Sequence, residues 1–155
     1  MIYRWLRCIA STMASGYCLL GTALAADSNQ DIQGQLAMAR PSSMYTEAGT
    51  PERLEFSFGE IRVWLKDSGT WHIEGPVSHQ GLLCATRQLG VRFGVGQPAC
   101  TNMRWLSEFE FTDGQKQCNS ATTWHTGGGE LPALKSEFGR INCAERVIQC
   151  SGNCK

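Results

Sequence analysis

Six cysteines, Cys84, Cys100, Cys118, Cys143, Cys150 and Cys154, fall in the second half of this 155-residue chain. An even set in so short a domain predicts a disulfide framework, and it assigns the chain to an oxidising compartment. The other two cysteines, Cys8 and Cys18, lie in an N-terminal stretch that has the layout of an export signal. Arg4 and Arg7 form its basic start, an apolar run follows, and Ala23-Leu24-Ala25 offers small residues for cleavage. Cys18 follows Tyr17, too bulky a neighbour for a lipid-attachment cysteine. The apolar run is too short and too interrupted to span a bilayer. Residues 1–25 are therefore read as a signal peptide, and the mature chain as secreted or periplasmic.

Losing the signal leaves 12 basic against 14 acidic residues, a charge near −2. That balance predicts no nucleic-acid or anionic-membrane partner. Residues 26–53 are polar with scattered apolar side chains and read as a flexible arm, since such a stretch buries too little surface to offset its ordering entropy. Within it, Gln35 to Arg40 reads as at most one helical turn, stopped by Pro41.

Ordered structure is expected over residues 54–155. Leu54, Phe56 and Phe58 alternate with polar residues, as do Ile61, Val63 and Leu65. Lys66-Asp67-Ser68-Gly69 is turn chemistry, so residues 60–74 predict a β-hairpin. Ser78 offers an N-cap, Leu82, Ala85 and Leu89 recur at helical spacing, and Gly90 suits the C′ position. These signals predict one helix over residues 78–89, with Cys84 near its middle. Short strands are expected at Met103–Leu106, Phe109–Phe111 and Arg146–Cys150, and a flexible loop at Gly127-Gly128-Gly129. The sum is a small disulfide-rich α+β domain.

Several pieces of the chain, in order, resemble a scavenger receptor cysteine-rich (SRCR) domain. They are Gly59-Glu60-Ile61-Arg62-Val63, Ser68-Gly69-Thr70-Trp71, Cys84-Ala85-Thr86-Arg87-Gln88-Leu89-Gly90, Arg104-Trp105-Leu106-Ser107-Glu108, and Asn142-Cys143 with Val147-Ile148-Gln149-Cys150-Ser151. The resemblance implies a curved antiparallel sheet cradling one helix. It also implies a bond from Cys84 to Cys150, closing a loop of roughly 65 residues and stabilising the fold by about 4 kcal/mol. His72-Ile73-Glu74 stands where the family carries a further cysteine, so the remaining bridges must be rewired. Cys143–Cys154 and Cys100–Cys118 are the simplest local options among the 15 pairings that six cysteines allow.

Other readings of the cysteines compete with bridges. A nucleophilic Cys84 needs a base, for which His72, His79 and His125 are available, and Cys150-x₃-Cys154 with Cys143 has zinc-compatible spacing. An oxidising compartment favours bridges over both. The histidines lack metalloprotease spacing, and the glycine runs lack the Lys-Ser/Thr of a phosphate loop. By resemblance, Glu74 and Glu145, with Glu108 added, could ligate a calcium-type cation, which wants several oxygen ligands. Otherwise no cofactor is required. Trp64 and Trp124 are candidate ligand-binding anchors. The function expected is a non-enzymatic module recognising a protein or cell-surface ligand, in one version an inhibitor or immunity protein for a secreted toxin or hydrolase. The rival is a small metal-dependent hydrolase using Glu74, Glu108 or a histidine.

Overall fold

The computed structural model describes residues 33–41 and 49–154. The signal segment 1–25 lies outside the described residues. Strands dominate: β1 (Gln33–Met38), β2 (Arg40–Pro41), β3 (Arg53–Phe58), β4 (Ile61–Lys66), β5 (Thr70–Ser78), β6 (Ala85–Gln97), β7 (Thr101–Trp105), β8 (Glu110–Phe111), β9 (Gln115–Gln117), β10 (Thr122–Glu130) and β11 (Cys143–Gly152). A single α-helical turn, α1 (Pro132–Lys135), precedes β11. Two antiparallel sheets form. One runs β1-β11-β6-β7, with β8 and β9 also laid along β6; the other runs β10-β5-β4-β3-β2. They pack face to face as a β-sandwich. Ala39 is the point where the chain leaves the first sheet as β1 and enters the second as β2. Its N–H donates to the Asn142 carbonyl at 2.7 Å.

The core is built from the alternating faces. Phe56, Val63, Leu65 and Ile73 from one sheet meet Leu89, Val91 and Phe93 from the other. The Phe56 and Phe93 rings lie 5.7 Å apart across the interface. Each such side chain contributes about 1.5–3 kcal/mol on full burial. Leu134, on α1, and Phe138 and Ile141 plug the space beside them.

The expected hairpin is present as β4 and β5, with Leu65 opposite Trp71. The expected helix is not. Residues 85–97 are the long central strand β6, so the α+β reading, and with it the sheet cradling a helix, is corrected to two packed sheets. Leu82, Ala85 and Leu89 fit a helical stripe, but Leu89 also begins a period-two run with Val91 and Phe93. All three of these are fully buried in strand geometry, and β6 pairs with β11 over ten residues. Leu82, read as core, is instead 82% exposed. Gly90 is not a helix terminus: a Cβ there would lie 2.5 Å from the Phe111 ring and 2.8 Å from Val147.

Two segments read as flexible are also strands. Gln33–Met38 pairs with β11 along its whole length, so part of the arm is sheet edge. Gly127-Gly128-Gly129 is mid-β10, opposite Ile73, His72 and Trp71. A Cβ on Gly127 would lie 2.6 Å from Thr112, where the β8–β9 connection crosses the strand.

All six cysteines pair, but as Cys84–Cys118, Cys100–Cys143 and Cys150–Cys154. The pairings Cys84–Cys150, Cys143–Cys154 and Cys100–Cys118 are all corrected. Register explains the first. Ala85 stands opposite Gln117 in the β6–β9 ladder, so the next positions outward, Cys84 and Cys118, face each other at Cα–Cα 4.1 Å. Cys150 stands opposite Arg87, three residues further along β6.

Two histidines are buried, His79 and His125. His125 is fully buried on β10, and its Nε2 hydrogen bonds with the Gln117 amide nitrogen at 2.9 Å. The amide nitrogen donates, so the imidazole accepts and is neutral. Burial holds its pKa below the ordinary 6.5. The unfolded chain then binds this proton more readily, and stability falls as pH drops below the unfolded value and on toward the depressed folded one.

Two outcomes are expected. Peptide mapping of the oxidised protein should recover the 84–118, 100–143 and 150–154 links, and replacing Cys84 and Cys118 together by Ser should cost about 2–4 kcal/mol in urea unfolding. The loss of stability between pH 7.5 and 5 should be smaller in His125→Gln than in the parent, read from urea midpoints across that range.

Candidate interaction surface

Strand alternation sorts the second sheet into an inner and an outer face. On β10, His125 points inward and Trp124 and Thr126 outward. On β5, Ile73 points inward and His72 and Glu74 outward; on β4, Val63 inward and Trp64 outward. The outer face therefore gathers three of the residues singled out in the sequence: Trp64, Trp124 and Glu74.

Their environments differ. Trp64 stacks on its cross-strand partner His72, with centroids 4.2 Å apart and planes 22° from parallel. The Arg53 guanidinium stands 6.0 Å from the Trp64 ring centroid and is ion-paired with Glu55. The ring of Trp64 is thus committed to neighbours within the sheet. His72 Nε2 lies 3.3 Å from the Thr126 hydroxyl and 3.8 Å from Glu74. A shallow groove of ≈ 250 Å³ runs beside them, walled by Trp64, Glu74, Arg62 and Glu55.

Trp124 is different. It is 58% exposed although it sits within a strand paired to β5 through Pro76. β10 starts at Thr122, opposite Ser78, where the hydroxyls of the two residues are 2.8 Å apart. Just beyond that end, the connection from β5 to β6 carries Leu82 and Leu83, which are 82% and 64% exposed. This loop is pinned. His79 N–H donates to Ala121 O, Ser120 N–H donates to Gly81 O, and the Cys84–Cys118 bond closes its base. The His79 side chain is buried, with Nε2 2.6 Å from the Leu83 carbonyl and Nδ1 3.5 Å from Arg87 Nη2. A tautomer with its proton on Nε2 satisfies both contacts. One end of the sandwich thus carries three exposed apolar side chains on backbone held by sheet pairing and a disulfide.

The carboxylates read as a cation site are not brought together. Glu145 lies on the outer face of the other sheet, where Arg92 Nε and Nη2 reach its Oε2 at 2.8 and 2.6 Å. That guanidinium is clamped between Trp105 and Phe109, 3.9 and 4.4 Å from the two ring centroids. Glu108 is exposed in the connection before β8. The donor set does not fit a cation: Glu145 is already neutralised, Glu74 is on the opposite face, and no group of three His, Cys, Asp or Glu suited to a metal occurs among the described residues. Zinc binding by Cys143, Cys150 and Cys154, the reading the sequence disfavoured, is excluded, since a disulfide sulfur is not a thiolate ligand. The same holds for Cys84 as a nucleophile.

Leu82 and Leu83 as surface residues escaped the sequence reading because the helical stripe absorbed Leu82. The signal available was the longer alternation from Ala85 through Phe93, which starts the strand after them. Among the described residues no helix is long and apolar enough to cross a membrane.

Comparison with known proteins adds no family. No family model and no curated protein matches the chain. Among solved structures, the Avr2 effector protein from the fungal plant pathogen Fusarium oxysporum aligns at 12% identity and TM-score 0.28, over 85% of this chain and 95% of that one. At that score the likeness carries no argument about fold or role.

Proposed function

We propose that this chain is an exported binding module that recognises a protein or surface ligand through the end of the sandwich carrying Trp124, Leu82 and Leu83. Three disulfides suit an oxidising, extracytoplasmic setting. The observation that carries the reading is Trp124, an exposed tryptophan fixed on a paired strand. A large aromatic held rigid gives up little conformational entropy on docking, which makes it an efficient anchor. Leu82 and Leu83 extend the apolar contact, and their loop is already ordered by His79 and the Cys84–Cys118 bond. The reading involves no chemical step. His72 stacks on Trp64, and His79 and His125 are buried in hydrogen bonds, so each histidine has structural work.

The test is capture from secreted and envelope fractions of the producing cells, followed by affinity measurement with the captured partner. Trp124→Ala should weaken binding at least tenfold, about 1.4 kcal/mol or more. Arg104→Ala, an exposed change on β7, should leave it within twofold. A partner whose affinity ignores Trp124, Leu82 and Leu83 alike would overturn the assignment of this surface. A one-to-one complex with a secreted hydrolase that loses activity would identify the role as inhibition.

A further inference from the structure

A cleft of ≈ 490 Å³ opens where the β3–β4 turn, the far end of β5 and the strands β6 and β11 converge. Its walls include Phe58, Ile61 and Ile148, polar Ser78 and Gln80, and two arginines, Arg87 from β6 and Arg146 from β11. The arginines enter from the core-facing side of their strands. Arg87 stands two residues before fully buried Leu89, and Arg146 lies opposite fully buried Val91. Ile148, opposite Leu89, separates them along the cleft.

Their electrostatics differ from those of the four arginines that form ion pairs. Arg53, Arg92, Arg104 and Arg140 each pair with a glutamate. Arg87 and Arg146 form no ion pair among the described residues. Arg146 Nη2 donates to Gln35 Oε1 at 2.7 Å and Arg87 meets His79 Nδ1 at 3.5 Å, both neutral partners. The Nε of each is buried without a hydrogen-bond partner. Glu60, exposed on the β3–β4 turn, is the carboxylate among the lining residues, and it bonds neither guanidinium. Burial also pulls the Arg146 pKa below its ordinary value. A guanidinium partly withdrawn from water without a counter-charge is disfavoured, and its planar fork of donors matches a carboxylate or phosphate.

We infer that this cleft is an oxyanion-binding site, in which Arg87 and Arg146 take the carboxylate or phosphate of a small organic acid while Phe58, Ile61 and Ile148 contact its apolar body. Gln35 and His79 act as positioning residues, holding one donor of each guanidinium so that the free donors face the ligand. The site goes beyond the docking role of Trp124, and a small-anion titration reads it separately.

The experiment titrates the full chain with phenyl phosphate and, in a parallel arm, phenylacetate, against chloride at matched ionic strength. Arginine Nε–H resonances and the thermal midpoint are followed. A saturable shift of the Arg87 and Arg146 signals is expected, with a rise in midpoint. The stronger arm distinguishes phosphate from carboxylate ligands. Arg87→Met and Arg146→Met should each weaken binding at least tenfold, and Arg104→Met should not. A response no greater than that to chloride, or undiminished binding in Arg87→Met/Arg146→Met, would overturn the inference. Should either variant unfold, the arginine resonances of the unaltered chain decide: saturable shifts support the site, and unmoved signals refute it.

Discussion

The pairing of β6 with β11 is the contact on which the rest of the molecule depends. Ten consecutive residues of each strand face one another in the middle of the first sheet. β7, β8 and β9 then add along β6 itself. Side chains alternate with period two, so this register decides which residues enter the core and which face solvent. A slip of one position would bury Arg92 and Gln88 and expel Leu89, Val91 and Phe93. The same register sets Arg92 against Glu145 on the outside, and directs Arg87 and Arg146 inward. Two disulfides are placed by the strands around it. Cys84–Cys118 continues the β6–β9 ladder, and Cys100–Cys143 ties the β6–β7 connection to the first residue of β11, which stands opposite Gly94.

A frame of this kind separates stability from recognition. The inner faces hold the apolar core, from Phe56, Val63, Leu65 and Ile73 to Leu89, Val91 and Phe93, and the Cys84–Cys118 bridge braces the loop beyond it. Exposed apolar residues can then sit on ordered backbone at one end without weakening the sandwich. Trp124 illustrates this, since its neighbours Thr123 and His125 point the other way and carry the packing. The loop with Leu82 and Leu83 is held by groups that are themselves buried, His79 above all. The two inward arginines share that end of the molecule, so apolar contact and charge recognition lie near each other. Neither guanidinium forms an ion pair among the described residues, the observation on which the inferred anion site rests.

Parts of this architecture were open to reading in the amino-acid order. Leu54 to Ile73 alternates cleanly and is broken by Lys66-Asp67-Ser68-Gly69, so the β4–β5 hairpin could be read with its correct faces. A strand over Arg146–Cys150 was also read from the sequence, and it is the centre of β11. The stretch from Leu82 to Gly90 was not, because Leu82, Ala85 and Leu89 satisfy a 3.6-residue period as well as part of a period of two. Ser78 and Gly90 then supplied false boundaries. The choice was made outside the segment, by ten partners on β11 and by the Phe111 ring that lies over Gly90. Trp124 and Glu74 were picked out from the sequence as functional candidates; they share a face, with Trp124 58% exposed and Glu74 lying 3.8 Å from His72 Nε2. Glu145 was taken for a cation ligand because nothing near it in sequence announces Arg92, which reaches it from across the sheet.

What the amino-acid order determined by itself was local or stoichiometric: an even set of cysteines suited to mutual pairing, a tight hairpin, and the inward and outward faces of its strands. These depend on neighbouring residues and on simple counting. What only the tertiary structure decided was every relation between distant segments: which cysteines meet, whether residues 85–97 are strand or helix, and where Arg87 and Arg146 point. Strand pairing is a non-local choice, made by the core that two whole sheets can bury together, and no window of sequence contains it.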